Sequence, residues 1–87
     1  MTQRVIIDVR EPEEYAQSHV AGALNITAAQ LIDGAHALDN VAKDSEIIVY
    51  CRSGSRSNTA INILKDMGFT NLTNGINQGQ VEAKNNL

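Results

Sequence analysis

The chain holds one cysteine, Cys51, and the residues after it are small, polar or basic: Arg52-Ser53-Gly54-Ser55-Arg56-Ser57. A thiol becomes a strong nucleophile as its thiolate. That form is favoured by nearby cations, by backbone N–H groups curled around the sulfur and by a helix N-terminus. This run can supply all three. It holds no acid, Arg52 and Arg56 flank it, and Ser53, Gly54 and Ser55 are small enough for the backbone to wrap closely around an anion. The chemistry it suggests is an anion cradle with a nucleophilic sulfur at its base. The plainer alternative is a buried cysteine that only fills core space. A nucleotide phosphate loop would need a lysine followed by Ser or Thr at the helix start, and Arg56-Ser57 is a poor substitute.

The flanking residues must position that loop. Ile47-Ile48-Val49-Tyr50 reads as a buried strand. From Ser57 to Met67 the pattern is helical, with Ala60, Ile61, Ile63, Leu64 and Met67 on one face and Asn58, Asn62, Lys65 and Asp66 on the other. Cys51 then sits at the carboxyl end of a strand with a helix N-terminus pointing back at it, the place where open α/β sheets bind ligands.

Upstream, Val5-Ile6-Ile7 with Val9 predicts a first strand, apolar enough to be covered on both faces. Asp8 interrupts it, and a buried carboxylate needs donors. Arg10 or loop N–H groups are the candidates. Asp8 and Arg10 either brace the cysteine loop from the neighbouring strand end or form a local turn pair. Pro12 opens a short helix that ends near Ser18, and Glu11, Glu13 and Glu14 read as its solvated acidic face. Gly22 turns the chain into a brief strand, Ala23 to Asn25. Thr27 to Gln30 matches a capping box, with Ile26 and Leu31 in the staple positions. Leu31, Ile32, Ala35 and Leu38 give the buried face of that second helix, weakened by Gly34.

Downstream, Gly68 ends the third helix and Phe69 packs back on Leu64. Asn71 to Thr73 is a short last strand, and Asn74-Gly75 is a turn signal. From Ile76 onward the residues are polar, a weakly structured tail with at most one weak helix.

Eighty-seven residues suffice for one small domain. A net charge of −3 speaks against general nucleic-acid or anionic-membrane binding, so the basic loop suits a small anion. No stretch approaches a membrane span, and no basic start followed by an apolar run marks a secretory signal. The expected compartment is the cytoplasm, or the periplasm if Met1 replaces a removed signal peptide. One cysteine excludes an internal disulfide and a resolving-cysteine mechanism within one chain. With two histidines far apart in sequence, no structural zinc site is expected, and no cofactor either.

The cysteine run resembles the active-site loop of rhodanese-type sulfurtransferases. Asp8-Val9-Arg10-Glu11-Pro12-Glu13-Glu14-Tyr15 resembles the family's N-terminal motif, and His19-Val20-Ala21-Gly22-Ala23-Leu24-Asn25-Ile26 the segment that follows it. The three motifs stand in the family's order over roughly Val5 to Gly75. The resemblance implies a small α/β domain over residues 1–87, with a mostly parallel sheet flanked by helices and reduced at the N-terminus, like small single-domain bacterial members. It implies catalysis by Cys51, a persulfide-binding loop of Arg52, Ser53, Gly54, Ser55, Arg56 and Ser57, and support from Asp8 and Arg10. It assigns His19 a structural hydrogen bond near a turn. Many members carry two glycines and then a Trp where this chain has Asn74-Gly75 and no Trp.

The leading expectation is therefore transfer of sulfane sulfur through a Cys51 persulfide, from an anionic donor such as thiosulfate to cyanide, a cellular thiol or a protein acceptor. Each arginine has two roles open to it, attracting the donor or pairing with an acid to orient the loop. A second reading is a persulfide carrier or binding module with little free turnover. A third is phosphatase-like or arsenate-reducing chemistry. Those loops separate Cys and Arg by one residue more than the four found here, Arg52 to Ser55. The expected state is a monomer or weak homodimer.

Overall fold

The computed structural model describes residues 4–34 and 36–87. Its elements run β1 (Arg4–Asp8), α1 (Pro12–Gln17), β2 (Leu24–Asn25), α2 (Ala28–Ile32), a short 3₁₀ turn (His36–Leu38), β3 (Glu46–Cys51), α3 (Ser55–Asp66), β4 (Leu72–Asn77) and α4 (Gln78–Lys84). The strands form one sheet in the order β2-β1-β3-β4, every pair parallel. This is the expected α/β class with a parallel sheet flanked by helices.

The near-continuous apolar strands have the expected cause, since both faces of the sheet are covered. Val5, Ile7, Ile47, Val49 and Cys51 face one way and pack with Leu31, Leu38, Ala60, Ile61, Leu64 and Phe69. The intervening Ile6, Ile48 and Tyr50 face the other way, against Val20, Ala23 and Val81 of α4. Strand periodicity thus aims Cys51 at α3 and its neighbour Tyr50 at the opposite layer. In the register of the central pair, Asp8 lies beside Tyr50. The chain leaves β1 towards one edge, β2, and β3 towards the other, β4. The carboxyl ends of β1 and β3 therefore flank the crevice where such sheets hold ligands.

Most local signals act as read. Thr27 accepts from Gln30 N at 3.3 Å while Gln30 Oε1 accepts from Thr27 N at 2.9 Å, completing the capping box. Gly68, at φ +101°, ends α3, and Phe69 N donates to Leu64 O at 3.1 Å. Four readings need correction. Helix α3 begins at Ser55, two residues earlier than the apolar face indicated, because Gly54 at φ +93° turns the chain directly into it. Helix α2 stops at Ile32, where Gly34 at φ +117° redirects the chain. Ile32 is 74% exposed, Leu38 is buried from a separate turn, and Ala35 lies outside the described residues.

The third correction is Asn74-Gly75, which lies inside β4 and makes no turn. The pairing shifts there: Val49 faces Asn74 but Tyr50 faces Ile76, so the strand bulges at Gly75. Packing requires a glycine at this point. A Cβ on Gly75 would lie 2.5 Å from Val81 Cγ2 and 3.0 Å from Ile48 Cγ2. The fourth is the segment after Ile76, read as a weakly structured tail. Ile76 and Asn77 complete β4, Asn77 caps α4 through Gln80 N at 2.8 Å, and Val81 is 1% exposed. One buried valine in a polar helix leaves almost no periodic signal, although it closes the second core layer.

Gly75→Ala is therefore expected to cost about 1–3 kcal/mol by overpacking. For a domain of this size that lowers Tm by roughly 4–8 °C per kcal/mol. Thermal unfolding followed by circular dichroism checks this, and an unchanged midpoint would show that α4 yields without cost.

Candidate active site

The site is built where β3 ends. Cys51 is the last residue of the strand and 2% exposed. Only Arg52, Ser53 and Gly54 separate it from α3. Gly54 takes the left-handed conformation without strain and turns its N–H back to Cys51 Sγ at 3.1 Å. In the first turn of α3, where N–H groups have no partner within the helix, Ser57 N donates to the same sulfur at 3.4 Å. Cys51 Sγ also lies 3.6 Å from Ser57 Oγ, to which it donates as the thiol.

These contacts set the acidity of the sulfur. Burial pushes the Cys51 thiol up. Hydrogen bonds from the N–H groups of Ser57, Ser53 and Gly54, joined by the Ser57 hydroxyl once it turns its proton to the sulfur, outweigh that and bring it from 9.0 down to about 7. The positive end of the helix acts in the same direction. The result is a sulfur that holds a large thiolate fraction near neutral pH in a nearly enclosed place.

The two arginines are placed differently. Arg52 is exposed on the loop and forms no ion pair among the described residues. Arg56, on the first turn of α3, is held by Glu14 of α1, with Nη1 to Oε1 at 2.8 Å and Nη2 to Oε2 at 3.2 Å. The Arg56 guanidinium, then the Glu11 N–H, hold the Glu14 carboxyl down to about 2, so the pair persists throughout the neutral range. Glu14 thus leaves the solvated acidic face expected of it, and the pair ties α1 to the start of α3. Beside that turn lies a cleft of about 290 Å³ lined by Val9, Glu11, Thr27, Ala28, Ser55 and Arg56.

Asp8 and Arg10 sit at the end of β1 as a local pair, not on the loop. Arg10 Nε and Nη2 grip both Asp8 oxygens at 2.6–3.0 Å, and Nη2 also donates to Ser18 O at 2.6 Å. Their link to the site runs through Tyr50. Its hydroxyl donates to Asp8 Oδ2 at 2.9 Å and accepts from Val20 N at 3.0 Å. Arg10 lies over the Tyr50 ring, 5.5 Å from its centroid. Burial, with a smaller push from the Asp8 carboxylate, raises the Tyr50 phenol to about 12, so it remains a donor. His19 stacks on Tyr15 at 3.6 Å, its Nδ1 2.8 Å from Tyr15 O.

Three residues at or near the site carried no such reading in the sequence. Tyr50 was a strand residue, although a hydroxyl beside the cysteine in an apolar run is a signal. Glu14 was one glutamate among three, set apart locally only by its place at N3 of α1, where its carboxylate accepts the Glu11 N–H at 3.0 Å. Asn74 looked like a turn. Its amide instead reaches the loop, with Nδ2 donating to Gly54 O at 3.0 Å and Oδ1 accepting from Ser57 Oγ at 2.6 Å. Among the described residues no group of three or more His, Cys, Asp or Glu side chains could hold a metal ion. No helix among them is long and apolar enough to cross a membrane.

Known proteins share both the sequence and the arrangement. Thiosulfate sulfurtransferase PspE of Escherichia coli is 42% identical over 69 residues, which cover 78% of this chain and 64% of that protein. YrkF of Bacillus subtilis, whose name proposes a sulfur carrier, is 36% identical over 69 residues, 79% of this chain and 36% of that protein. The chain thus spans less than two thirds of either relative. Among solved structures, a rhodanese with anions from E. coli superposes with a TM-score of 0.78 at 35% identity, covering 88% of this chain and 89% of that one. Residues 1–82 match the rhodanese-like domain as a family. With four parallel strands, a cysteine loop at the switch point and a helix opening onto the sulfur, the chain belongs to the rhodanese-like domain family.

Proposed function

We propose that this protein is a sulfurtransferase that carries sulfane sulfur as a persulfide on Cys51. The observation that carries the reading is the pair of backbone N–H groups, Gly54 and Ser57, converging on a sulfur at the head of a twelve-residue helix. The Cys51 thiolate attacks the outer sulfur of thiosulfate. The S–S bond of the donor breaks, its electron pair leaves with sulfite, and Cys51–S–S⁻ remains. The loop then faces a terminal sulfur that bears the charge, and preorganised N–H dipoles suit that load. A nucleophile such as cyanide attacks the terminal sulfur, and the electron pair of the Cys51–S bond returns to the thiolate. Two covalent half-reactions of this kind give ping-pong kinetics.

The arginines divide the remaining work. Arg52, exposed and without an ion pair among the described residues, attracts the anionic donor. Arg56, held by Glu14, orients the first turn of α3 and lends its field at longer range. The cleft beside Ser55 and Arg56 is the approach for donor or acceptor. Naming of the relative YrkF favours a second reading on the same chemistry, in which Cys51 passes its sulfur to a protein partner with little free turnover. Cyanide and protein acceptors compared at equal persulfide loading separate the two.

Intact-mass spectrometry after incubation with thiosulfate is the direct test. Wild type is expected to gain one sulfur atom that cyanide removes, and Cys51→Ser to gain none. Absence of any gain in folded wild type would exclude thiosulfate as donor. The loading rate is expected to rise with pH through about 7 and level off above, as the Cys51 thiolate forms. A rate flat across the neutral range would mean that thiolate formation does not limit loading. Arg52→Ala is expected to raise the KM for thiosulfate about fivefold with little change in kcat, from about 1 kcal/mol of lost exposed charge attraction. A KM that moves instead only with Arg56→Ala would reverse the roles given to the two arginines.

A further inference from the structure

Asn74 lies on β4 opposite Val49, next to the strand that carries Cys51. Both ends of its amide are engaged. Nδ2 donates to Gly54 O at 3.0 Å, and Oδ1 accepts from Ile76 N at 3.0 Å, which settles which end is oxygen. That oxygen also receives the Ser57 hydroxyl at 2.6 Å. Ser57 has one proton to give and three acceptors in reach. Gly54 O, at 3.1 Å, already takes Asn74 Nδ2 and Asn58 N, and Cys51 Sγ is at 3.6 Å. The short bond to Asn74 wins the proton. Ser57 Oγ then turns lone pairs to the sulfur, a geometry that accepts from a thiol and gives nothing to a thiolate.

We propose that Asn74 is a positioning residue that holds the Ser57 hydroxyl off the Cys51 sulfur, so that Ser57 serves the site's uncharged Sγ states and must leave Asn74 to serve the thiolate. In the persulfide, Sγ is bonded to sulfur and carries no charge, so the hydroxyl can remain on Asn74 at no loss. The Asn74–Ser57 bond therefore favours the loaded cysteine over the free thiolate, and keeps the thiolate more basic and more nucleophilic. This deepens the proposed function and rests on Cys51 being its reactive group.

The test is the pH profile of Cys51 alkylation by iodoacetamide, read by intact mass, for wild type, Asn74→Ala, Ser57→Ala and the double variant. The charged side chains on surrounding elements are Arg52 on the loop, Arg56, Lys65 and Asp66 on α3, Glu46 on β3, Glu13 and Glu14 on α1 with Glu11 before it, Arg4 and Asp8 on β1 with Arg10 beyond it, and Glu82 and Lys84 on α4. β4 brings no titratable side chain, and all these groups are common to the four proteins. Asn74→Ala is expected to lower the alkylation midpoint by about 0.5–1 unit, the size of one hydrogen bond released to a thiolate. In the Ser57→Ala background the same change is expected to do nothing. A midpoint that is unchanged or raised in folded Asn74→Ala overturns the proposal, and so does an equal drop without Ser57. Should Asn74→Ala lose the wild-type circular dichroism spectrum, Asn74→Asp keeps the accepting oxygen. It is then expected to raise the midpoint, by more with Ser57 than without it, and an equal rise in both backgrounds overturns the proposal. Alkylation reads the sulfur alone, while mass gain from thiosulfate reads the reaction, so either reading can fail without the other.

Discussion

A buried sulfur that must carry negative charge needs donors in place before the charge appears. Here they are the N–H groups of Gly54 and Ser57, aimed at Cys51 Sγ from 3.1 and 3.4 Å. Burial alone would make the cysteine inert. The rest of the structure can be read as what is needed to keep two peptide groups pointing at one atom. Gly54 must adopt a left-handed backbone, α3 must start within three residues of the strand, and β3 must end one residue past Tyr50.

Three neighbouring elements hold that geometry, each through a different kind of bond. Helix α1 reaches α3 through the Glu14–Arg56 ion pair. Strand β4 reaches the loop through the Asn74 amide. Strand β1 reaches the residue before the cysteine through Asp8, Arg10 and the Tyr50 hydroxyl. The last of these is fully buried at Asp8, where an unpaired carboxylate would be costly. It is paired with Arg10 and accepts from Tyr50, and no buried side-chain polar atom lacks a partner among the described residues. A fully satisfied network of this kind is stiff, which suits a loop whose donors must not relax when charge arrives.

The bulge in β4 shows how a packing constraint can also serve the site. Gly75 lets Val81 and Ile48 meet across the place its own Cβ would occupy. The extra residue shifts the pairing so that Asn74 stays opposite Val49 while Ile76, at φ +74°, restores pairing with Tyr50. A β-branched residue at positive φ is strained, and the bond from its N–H to Asn74 Oδ1 helps to hold it. Asn74 is thus committed by the bulge before it touches the loop.

The sequence by itself determined the elements whose causes are local. Apolar runs of β-branched residues form β1 and β3, Thr27 and Gln30 cap α2, and Gly68 stops α3. The form of the loop was legible too, because strand end, glycine turn and helix start lie within seven consecutive residues, Cys51 to Ser57, and the motif order pointed to the family. The tertiary structure alone decided the long-range partners. Glu14 finds Arg56 across 42 positions, and Tyr50 finds Asp8 across 42 as well. Its place at N3 marks Glu14 as a local cap, but only the tertiary fold brings Arg56 to it. Asn74-Gly75 has the local signature of a turn, yet pairing with β3 and the contact of Val81 with Gly75 hold it in a strand. A short polar segment takes its conformation from what it packs against, and for residues 74–84 that is a core the rest of the chain had to build first.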